Sequence, residues 1–491
     1  MSEPTRDSAK ALYRHTLSFL FCAASKKVFP DRVLRIGHSL GDCYYFSYRS
    51  GIALGEKDVQ RLKDAIADLI KRDLAIERRT LSFKEAVAHF EENRQSGTVL
   101  LLNQNAESEV PVAVCGDFID LWTAPLLPRT GAIKAFDLFL YEDGMLLQFP
   151  PQADGETLDP FVDSPQIFSV YSEYKKWGRI VGVNNSGDLN QLAAKRGVEE
   201  FIRMSECFAD KKLGAIADKI YQRRDEIKLV LIAGPSSSGK TTTAKRLSLQ
   251  LKTLGIEPIA VSLDDYYLHP SKTPLDEHGD KDFECLEALD IPYLNEQILT
   301  LFDGREVTLP IFDFKTGERK AGKEIKLGRR TVLVLEGIHG LNDALTPQVQ
   351  ASNKFKVYVS ALTQLNLDDH NRVPTSDNRL LRRMVRDYQF RGMSAERTLK
   401  MWPQVQRGAE NHIFKFQNAA DAVFNSALDY EIAVLKLYAE PLLRSVSPET
   451  PGFREASRLL SFLKNFYPVM PQCVPPLSVL REFIGGSGFS Y

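Results

Sequence analysis

The chain is poor in cysteine, and none of its six cysteines forms a C-x-x-C pair. That scarcity excludes a disulfide-built scaffold and fits a reducing compartment. No apolar run reaches membrane-spanning length. Residues 1–10 are polar and lack the apolar stretch of a signal peptide, so the expectation is a cytoplasmic protein with no membrane partner. A dominant charge is also missing: 63 Lys and Arg stand against 64 Asp and Glu, a net charge of −1. Bulk electrostatics therefore gives no footing for nucleic-acid binding, which usually shows as a basic stripe. Internal repeats and long low-complexity tracts are absent as well. What remains is a globular composition, 43% hydrophobic and 26% charged, over 491 residues. That length exceeds what one core usually supports, so two or three domains are expected.

Punctuation divides the chain into residues 1–150, 151–226, 227–445 and 446–491. The first block mixes helix and strand. Val59, Leu62, Ile66, Leu69 and Ile70 recur at helical spacing over Asp58 to Lys71, whereas Thr98 to Leu102 and Val110 to Val114 read as strands. The second block opens with a Pro-, Asp- and Gly-rich connection and is otherwise mainly helical. In the third, apolar runs at Leu229 to Ala233, Pro258 to Leu263, Thr331 to Leu335 and Lys354 to Val359 alternate with helical stretches. That alternation predicts an α/β domain, a parallel sheet flanked by helices. The tail, with a Pro-rich stretch at Pro468 to Pro476, reads as a short appendage.

Directly behind the first of these runs stands Gly234-Pro235-Ser236-Ser237-Ser238-Gly239-Lys240-Thr241, followed by Thr242. It fits G-x-x-x-x-G-K-[ST] in the strand–loop–helix setting that such a loop requires. Glycines let the backbone wrap so that successive N–H groups face a phosphate chain, and the following helix adds its positive end. The loop implies ATP, with Lys240 on the β- and γ-phosphates and Thr241 on Mg²⁺.

The second strand runs into Asp264-Asp265, and ligands of open α/β sheets bind at the carboxyl ends of strands. One acid can orient or deprotonate an acceptor hydroxyl, or act on Mg²⁺ through water, while its neighbour caps a turn. Position alone does not choose between them. Glu336 ends the strand Val332 to Leu335 and is the second acid expected near the metal. Arg379, Arg382, Arg383 and Arg386 fall at i, i+3, i+4 and i+7, on one face of a helix. Stacked cations repel, so such a stripe calls for an anion. Beside a phosphate loop it reads as a lid for the transferring phosphoryl group; otherwise it is a solvated face paired with Asp377 and Asp387.

In this order the motifs resemble the uridine kinase and phosphoribulokinase family of P-loop kinases. The matching pieces are the phosphate loop, Ser262-Leu-Asp-Asp-Tyr-Tyr267, Leu309-Pro-Ile-Phe-Asp313-Phe314, Leu335-Glu-Gly-Ile338 and the arginine stripe. The resemblance implies that Asp264 is the base for a ribose 5′-hydroxyl. It implies that Tyr267 and Phe312-Asp313 line the nucleoside pocket, that Glu284 holds the ribose hydroxyls, and that Arg379, Arg382 and Arg383 form the lid. Two positions depart from it. Gly317 stands where these kinases place a base-reading His, and their Gln after the lid falls near Thr398. His269, His278 and His339 are the candidate substitutes. The function implied is ATP-dependent phosphorylation of a uridine- or cytidine-like nucleoside, with a sugar, sugar-phosphate or pantothenate-like acceptor as the alternative.

Residues 11 to 141 resemble the N-terminal, editing-type α+β domain of threonyl-tRNA synthetase. The matching pieces are Arg14-His15, Ile36-Gly37, Tyr44-Tyr45-Phe46-Ser-Tyr48, Gly116-Asp-Phe-Ile-Asp120 and Pro125-Leu-Leu-Pro128. The family's H-x-x-x-H and C-x-x-x-H pairs read here His15-Thr-Leu-Ser-Phe19 and Trp122-Thr-Ala-Pro-Leu126. Phe, Trp and Leu offer neither a lone pair nor a proton, so metal-dependent hydrolysis is expected to be lost and the old pocket filled. Cys22, His38, Cys43 and Cys115 are the residues from which a rearranged site could be built. A nucleotide-dependent tRNA-binding regulator is the reading from a different functional class, and the charge balance disfavours it. The expected partner is a small nucleoside-like molecule, and a homo-oligomer stays open.

Overall fold

The computed structural model describes residues 6–49, 53–152, 155–276, 279–313 and 316–490. It divides into two compact units. One takes the chain up to Gly197 together with Thr363–Pro374 and Leu460–Tyr467; the other takes Val198–Leu362, Thr375–Leu459 and the chain from Pro468 onward. The helical block between residues 151 and 226 is therefore not a unit of its own but is shared between the two.

The first unit contains α1 (Arg6–Val28), β1 (Leu34–Leu40), β2 (Cys43–Tyr48), α2 (Glu56–Lys71), β3 (Glu77–Ser82), α3 (Phe83–Glu92), α4 (Ser96–Asn105), β4 (Glu109–Cys115), β5 (Phe118–Leu121), β6 (Asp137–Tyr141), β7 (Gly144–Gln148), α5 (Pro165–Val181) and α6 (Ser186–Ala194). Two antiparallel sheets result, ordered β1-β2-β7-β6 and β3-β4-β5. Leu17, Leu20, Phe21 and Ala24 of α1 and Leu62, Ile66 and Leu69 of α2 close over Ile36, Phe46, Met145 and Leu147 of the four-stranded sheet. Thr98 to Leu102, read above as a strand, lies in α4. Its run of apolar residues looks strand-like, but Thr98, Leu101 and Leu102 are the ones buried, which is helical spacing.

The second unit contains α7 (Val198–Gln222), β8 (Leu229–Ala233), α8 (Lys240–Thr253), β9 (Glu257–Ser262), α9 (Ile291–Phe302), β10 (Val307–Asp313), β11 (Glu318–Ile325), β12 (Thr331–Glu336), β13 (Lys354–Ser360), α10 (Thr375–Arg391), α11 (Ala395–His412), β14 (Ala422–Asn425), α12 (Glu431–Arg444), α13 (Phe453–Leu463, shared at its end with the first unit) and α14 (Arg481–Ile484). Five strands form a parallel sheet ordered β14-β13-β8-β12-β9. It is buried on both faces, as parallel sheets require. Val230, Ile232, Val334 and Val357 face α7 and α8, whereas Leu229, Leu231, Leu333 and Leu335 face α9 and the β10–β11 hairpin. Register sets Glu336 beside both Ile232 and Ser262, so the carboxyl ends of β8, β9 and β12 converge. No helix among the described residues is long and apolar enough to cross a membrane.

The tail is not an appendage. Val479, Leu480 and Phe483 are 1%, 0% and 0% exposed, and the Phe483 ring lies 5.0 Å from the Arg382 guanidinium. Because these side chains complete the second unit's core, Phe483→Ala should destabilise it by roughly 3–5 kcal/mol, read as a lower denaturant midpoint.

Candidate active site

The loop Gly234 to Thr241 leaves the end of β8 and enters α8. A side chain at Gly234 would place its first carbon 2.0 Å from the Val359 carbonyl oxygen, so only glycine admits this close backbone approach. Ser237 and Gly239 take positive φ, 60° and 80°, which turns the chain tightly into the helix. The hydroxyls of Ser237 and Ser238 are buried and make no hydrogen bond. A concave backbone with orphaned donors at a helix N-terminus fits a polyphosphate. Lys240 reaches back to the Pro235 carbonyl at 3.3 Å. Burial lowers its pKa, and Glu336, Asp264, Glu482 and Glu284 work against that shift. Thr242 differs from expectation. Its amide and hydroxyl both donate to Glu482 Oε2, at 3.2 and 2.5 Å, and the residue is fully buried. The tail thus lays a carboxylate on donors that the sequence assigns to phosphate.

At the strand ends, Thr241 and Ser262 donate to Glu336 Oε1 at 3.0 and 3.3 Å. Burial first, and then the neighbouring Asp264 charge, push the Glu336 carboxyl up to about 7. Hydroxyl and carboxylate oxygens gathered here are the donor set of a hard cation, and Thr241, Glu336 and Asp264 are the residues able to hold Mg²⁺. The two adjacent acids differ in their partners. Asp265 accepts the Phe312 amide at 3.1 Å, tying the hairpin to the strand end, whereas Asp264 exerts its charge on Lys240, Glu336 and Glu284.

The arginine stripe is not a solvated face. Arg379, Arg382 and Arg383 are 4%, 0% and 7% exposed. Arg379 Nε donates to the Ser236 carbonyl at 3.0 Å and Arg383 to the Ser236 hydroxyl at 2.7 Å. Burial brings the Arg379 pKa down to about 10, and its Nη2 is buried without a hydrogen bond. Arg382 points the other way. It binds Glu431 Oε2 at 2.5 Å and the Ser426 carbonyl at 2.8 Å, so it braces the loop from behind and is not placed as a lid. Arg386 pairs with Asp387.

On the acceptor side, Tyr267 lies between Phe283 and Phe312, with ring centroids 6.3 and 6.0 Å away. Its hydroxyl donates to the Phe283 carbonyl at 3.0 Å. Glu284 is half-buried, with burial raising its pKa and Arg383 and Lys240 opposing the rise. Gly408 of α11 makes room for it, since a side chain there would come 2.6 Å from Glu284 Cβ and Cγ. Sequence reasoning missed Gly408, because its role is defined only by what it faces. Asp313 pairs with Lys320 at 2.7 Å, and its carbonyl closes the hairpin turn at Gly317. Gly317 itself has φ 74° and would press on the Pro270 ring if it carried a side chain; the turn demands glycine where a base-reading His would otherwise stand. Of the substitutes, His269 caps its own turn through Ser271. His339 is buried, with its pKa lowered to about 4 chiefly by burial. His278 and Phe314 lie outside the described residues.

Residues 229–433 match the Phosphoribulokinase / Uridine kinase family. The second unit is thus built around a kinase domain. The N-terminal region matches threonine–tRNA ligases: that of Carboxydothermus hydrogenoformans is 34% identical over 133 residues, 27% of this chain and 21% of that protein. The Coxiella burnetii enzyme is 34% identical over 126 residues, 26% and 19% of the two chains. The chain therefore spans about a fifth of the length of these relatives. Among solved structures, a possible uridine kinase from Bacillus stearothermophilus is 20% identical with a TM-score of 0.26, over 43% of this chain and 98% of that one. D-glycerate 3-kinase from Cryptococcus neoformans is 16% identical with a TM-score of 0.23, over 56% and 87%.

In the first unit, Phe19, Trp122 and Leu126 all join the apolar core, and Phe19 packs on Phe118 with centroids 5.2 Å apart. Three of the four positions that would carry histidine or cysteine ligands are thus taken by side chains of the apolar core, and His15 keeps the fourth. Cys22, His38, Cys43 and Cys115 do not converge either. His38 stacks on Tyr171, and burial takes its pKa down to about 3.

Two outcomes follow from the kinase site. Replacing Glu482 with Gln removes a negative charge from the loop's helix N-terminus. The KM for ATP should fall by about three- to tenfold with little change in kcat, as read by steady-state kinetics. Glu336 also sets a pH dependence. Its folded pKa of about 7 lies above the usual 4.5, so between these values the unfolded chain loses the proton first. Stability of the nucleotide- and metal-free protein should then fall as pH rises through that window and level off above it. Denaturation of the Glu336→Gln variant should lack that part of the slope.

Proposed function

We propose that the kinase domain transfers the γ-phosphate of ATP to the 5′-hydroxyl of a nucleoside of the uridine or cytidine type. The observation that carries this reading is Asp264, set at the end of β9 between the phosphate loop and the acceptor wall of Tyr267, Phe312 and Glu284. Asp264 accepts the proton of the attacking hydroxyl. Glu284 accepts hydrogen bonds from sugar hydroxyls, and the aromatic wall stacks the base. Lys240 and the phosphate-loop amides hold the transferring group, while Arg379 and Arg383 offset its charge from α10. Arg382 serves as a positioning residue. Mg²⁺ bound at Thr241 and Glu336 would supply charge neutralisation on the triphosphate.

Phosphorylated sugars are the second reading. A cavity of about 360 Å³ opens beside Gly317, where Lys272 and Arg319 are balanced by Asp290 and Glu318 and Arg319 pairs with Asp290 at 2.6 Å, a mixed polar lining that offers donors and acceptors to sugar hydroxyls and Lys272 to a phosphate. An ATP-consumption screen across nucleosides, sugars, sugar phosphates and vitamins separates the readings. With the preferred acceptor, Asp264→Asn should lower kcat by about 10²–10⁴-fold while ATP affinity stays within about threefold. Unchanged turnover would remove Asp264 from the role of base.

A further inference from the structure

The first unit holds a cluster that the kinase chemistry does not use. Cys22 of α1, Asp120 of β5 and His370 of the Thr363–Pro374 segment place a sulfur, a carboxylate oxygen and a ring nitrogen within 4.8 Å of one another. All three belong to the same compact unit. Cys22 and Asp120 are 3% and 4% exposed, and the His370 side chain 11%. The positions are held from several sides. His370 Nδ1 meets Asp120 Oδ2 at 2.6 Å, the other Asp120 oxygen accepts the Leu121 amide at 2.9 Å, and buried Gln95 sets its amide nitrogen 3.1 Å from the His370 ring.

Charge supplies an independent argument. Asp120, Asp368 and Asp369 are all buried, at 4%, 2% and 4% exposure. Arg35 pairs with Asp369 at 2.9 Å and His370 faces Asp120. The hydrogen bonds to Asp368 come from amides, those of His370 and of Asn371. Three buried carboxylates therefore share one guanidinium and one imidazole, an arrangement short of positive charge, and buried charge without a partner is costly. A cation would correct the deficit, and the donors say which kind. Sulfur, imidazole nitrogen and one carboxylate suit zinc or cobalt, not the all-oxygen preference of Mg²⁺ and Ca²⁺. A nucleophilic thiol is the poorer fit, because reactive cysteines are partly exposed and Cys22 is not.

We propose that Cys22, Asp120 and His370 bind one zinc-class divalent cation, with a fourth position left to water or a small ligand. Binding converts the Cys22 thiol to thiolate and releases its proton. Three protein ligands with an open position is the arrangement of zinc sites that activate a bound molecule. The site owes nothing to the positions occupied by Phe19, Trp122 and Leu126.

The test uses the full chain in a Cys207→Ser/Cys473→Ser background, which removes the cysteines that are not buried. Titration with Co²⁺ alone should give one equivalent bound, a thiolate-to-cobalt charge-transfer band, and displacement by Zn²⁺. Cys22→Ser and His370→Ala should abolish the band, Cys115→Ser should leave it unchanged, and Gln95→Ala should weaken Co²⁺ binding by about 10–100-fold. X-ray absorption of the zinc-loaded protein provides a readout that needs no variant at the ligands: a single sulfur at about 2.3 Å is expected. No stoichiometric uptake, a purely nitrogen and oxygen shell, or a band that survives Cys22→Ser would overturn the proposal.

Discussion

The kinase half depends on one buried ion pair. Arg382 and Glu431 are 0% and 1% exposed and join at 2.5 Å. Asn378 completes the Glu431 carboxylate, and Ser426 and Ser237 complete the guanidinium. Burying both charges costs several kcal/mol of desolvation per ion, so the pair adds little net stability over an apolar substitute. What it fixes is position. One guanidinium fork ties α10 and α12 to the phosphate loop, and a planar fork satisfied on all sides admits one geometry. Once Arg382 is pinned, the helix geometry of α10 carries Arg379 and Arg383, four residues apart and so on one face, onto Ser236.

From that frame follows the electrostatic character of the site. Glu336, Asp264, Glu482 and Glu284 all bear electrostatically on Lys240, and Asp264 bears on Glu336 and Glu284 as well. Burial opposes the charge on Lys240 and Glu336 alike, while their mutual attraction favours it. Four carboxylates bear on Lys240, so this group of charges is short of cation. A hard cation carried in with a triphosphate relieves that deficit, which is how a site becomes complementary to its ligands before they arrive. Glu482 occupies part of the anion position, at donors that face the loop.

The N-terminal unit shows how a fold outlasts one arrangement of its residues. Aromatic and aliphatic side chains have closed three of the four positions that matching pairs would use for ligands, and they pack well enough to be part of the core. A different trio, contributed by a helix, a short strand and a distant segment of the chain, has polar atoms in mutual reach within the same unit. Cys22 follows Phe19 by three residues on α1, close to one helical turn, so both lie on the same face of that helix.

Much of the kinase half was legible because its signals are local. The phosphate loop, the strands β8, β9, β12 and β13 and the strand-terminal acids are each encoded by a few consecutive residues whose geometry follows from backbone periodicity. Signals that depend on partners were not legible. The residues Thr98 to Leu102 have a strand-like composition, yet burial on one side makes them α4. Arg382 looks like its neighbours in the stripe until Glu431, 49 residues away, claims it. Asp313 pairs with Lys320 across the hairpin, Gly317 is dictated by its turn, and the tail becomes core only by meeting Arg382 and Thr242. His370 stands 250 residues from Asp120, beyond any spacing rule. The sequence by itself determined the phosphate loop and the parallel strands around it, because hydrogen-bond periodicity and loop geometry are short-range. Only the tertiary structure decided which charges meet, because burial and pairing are properties of residues that chain folding brings together.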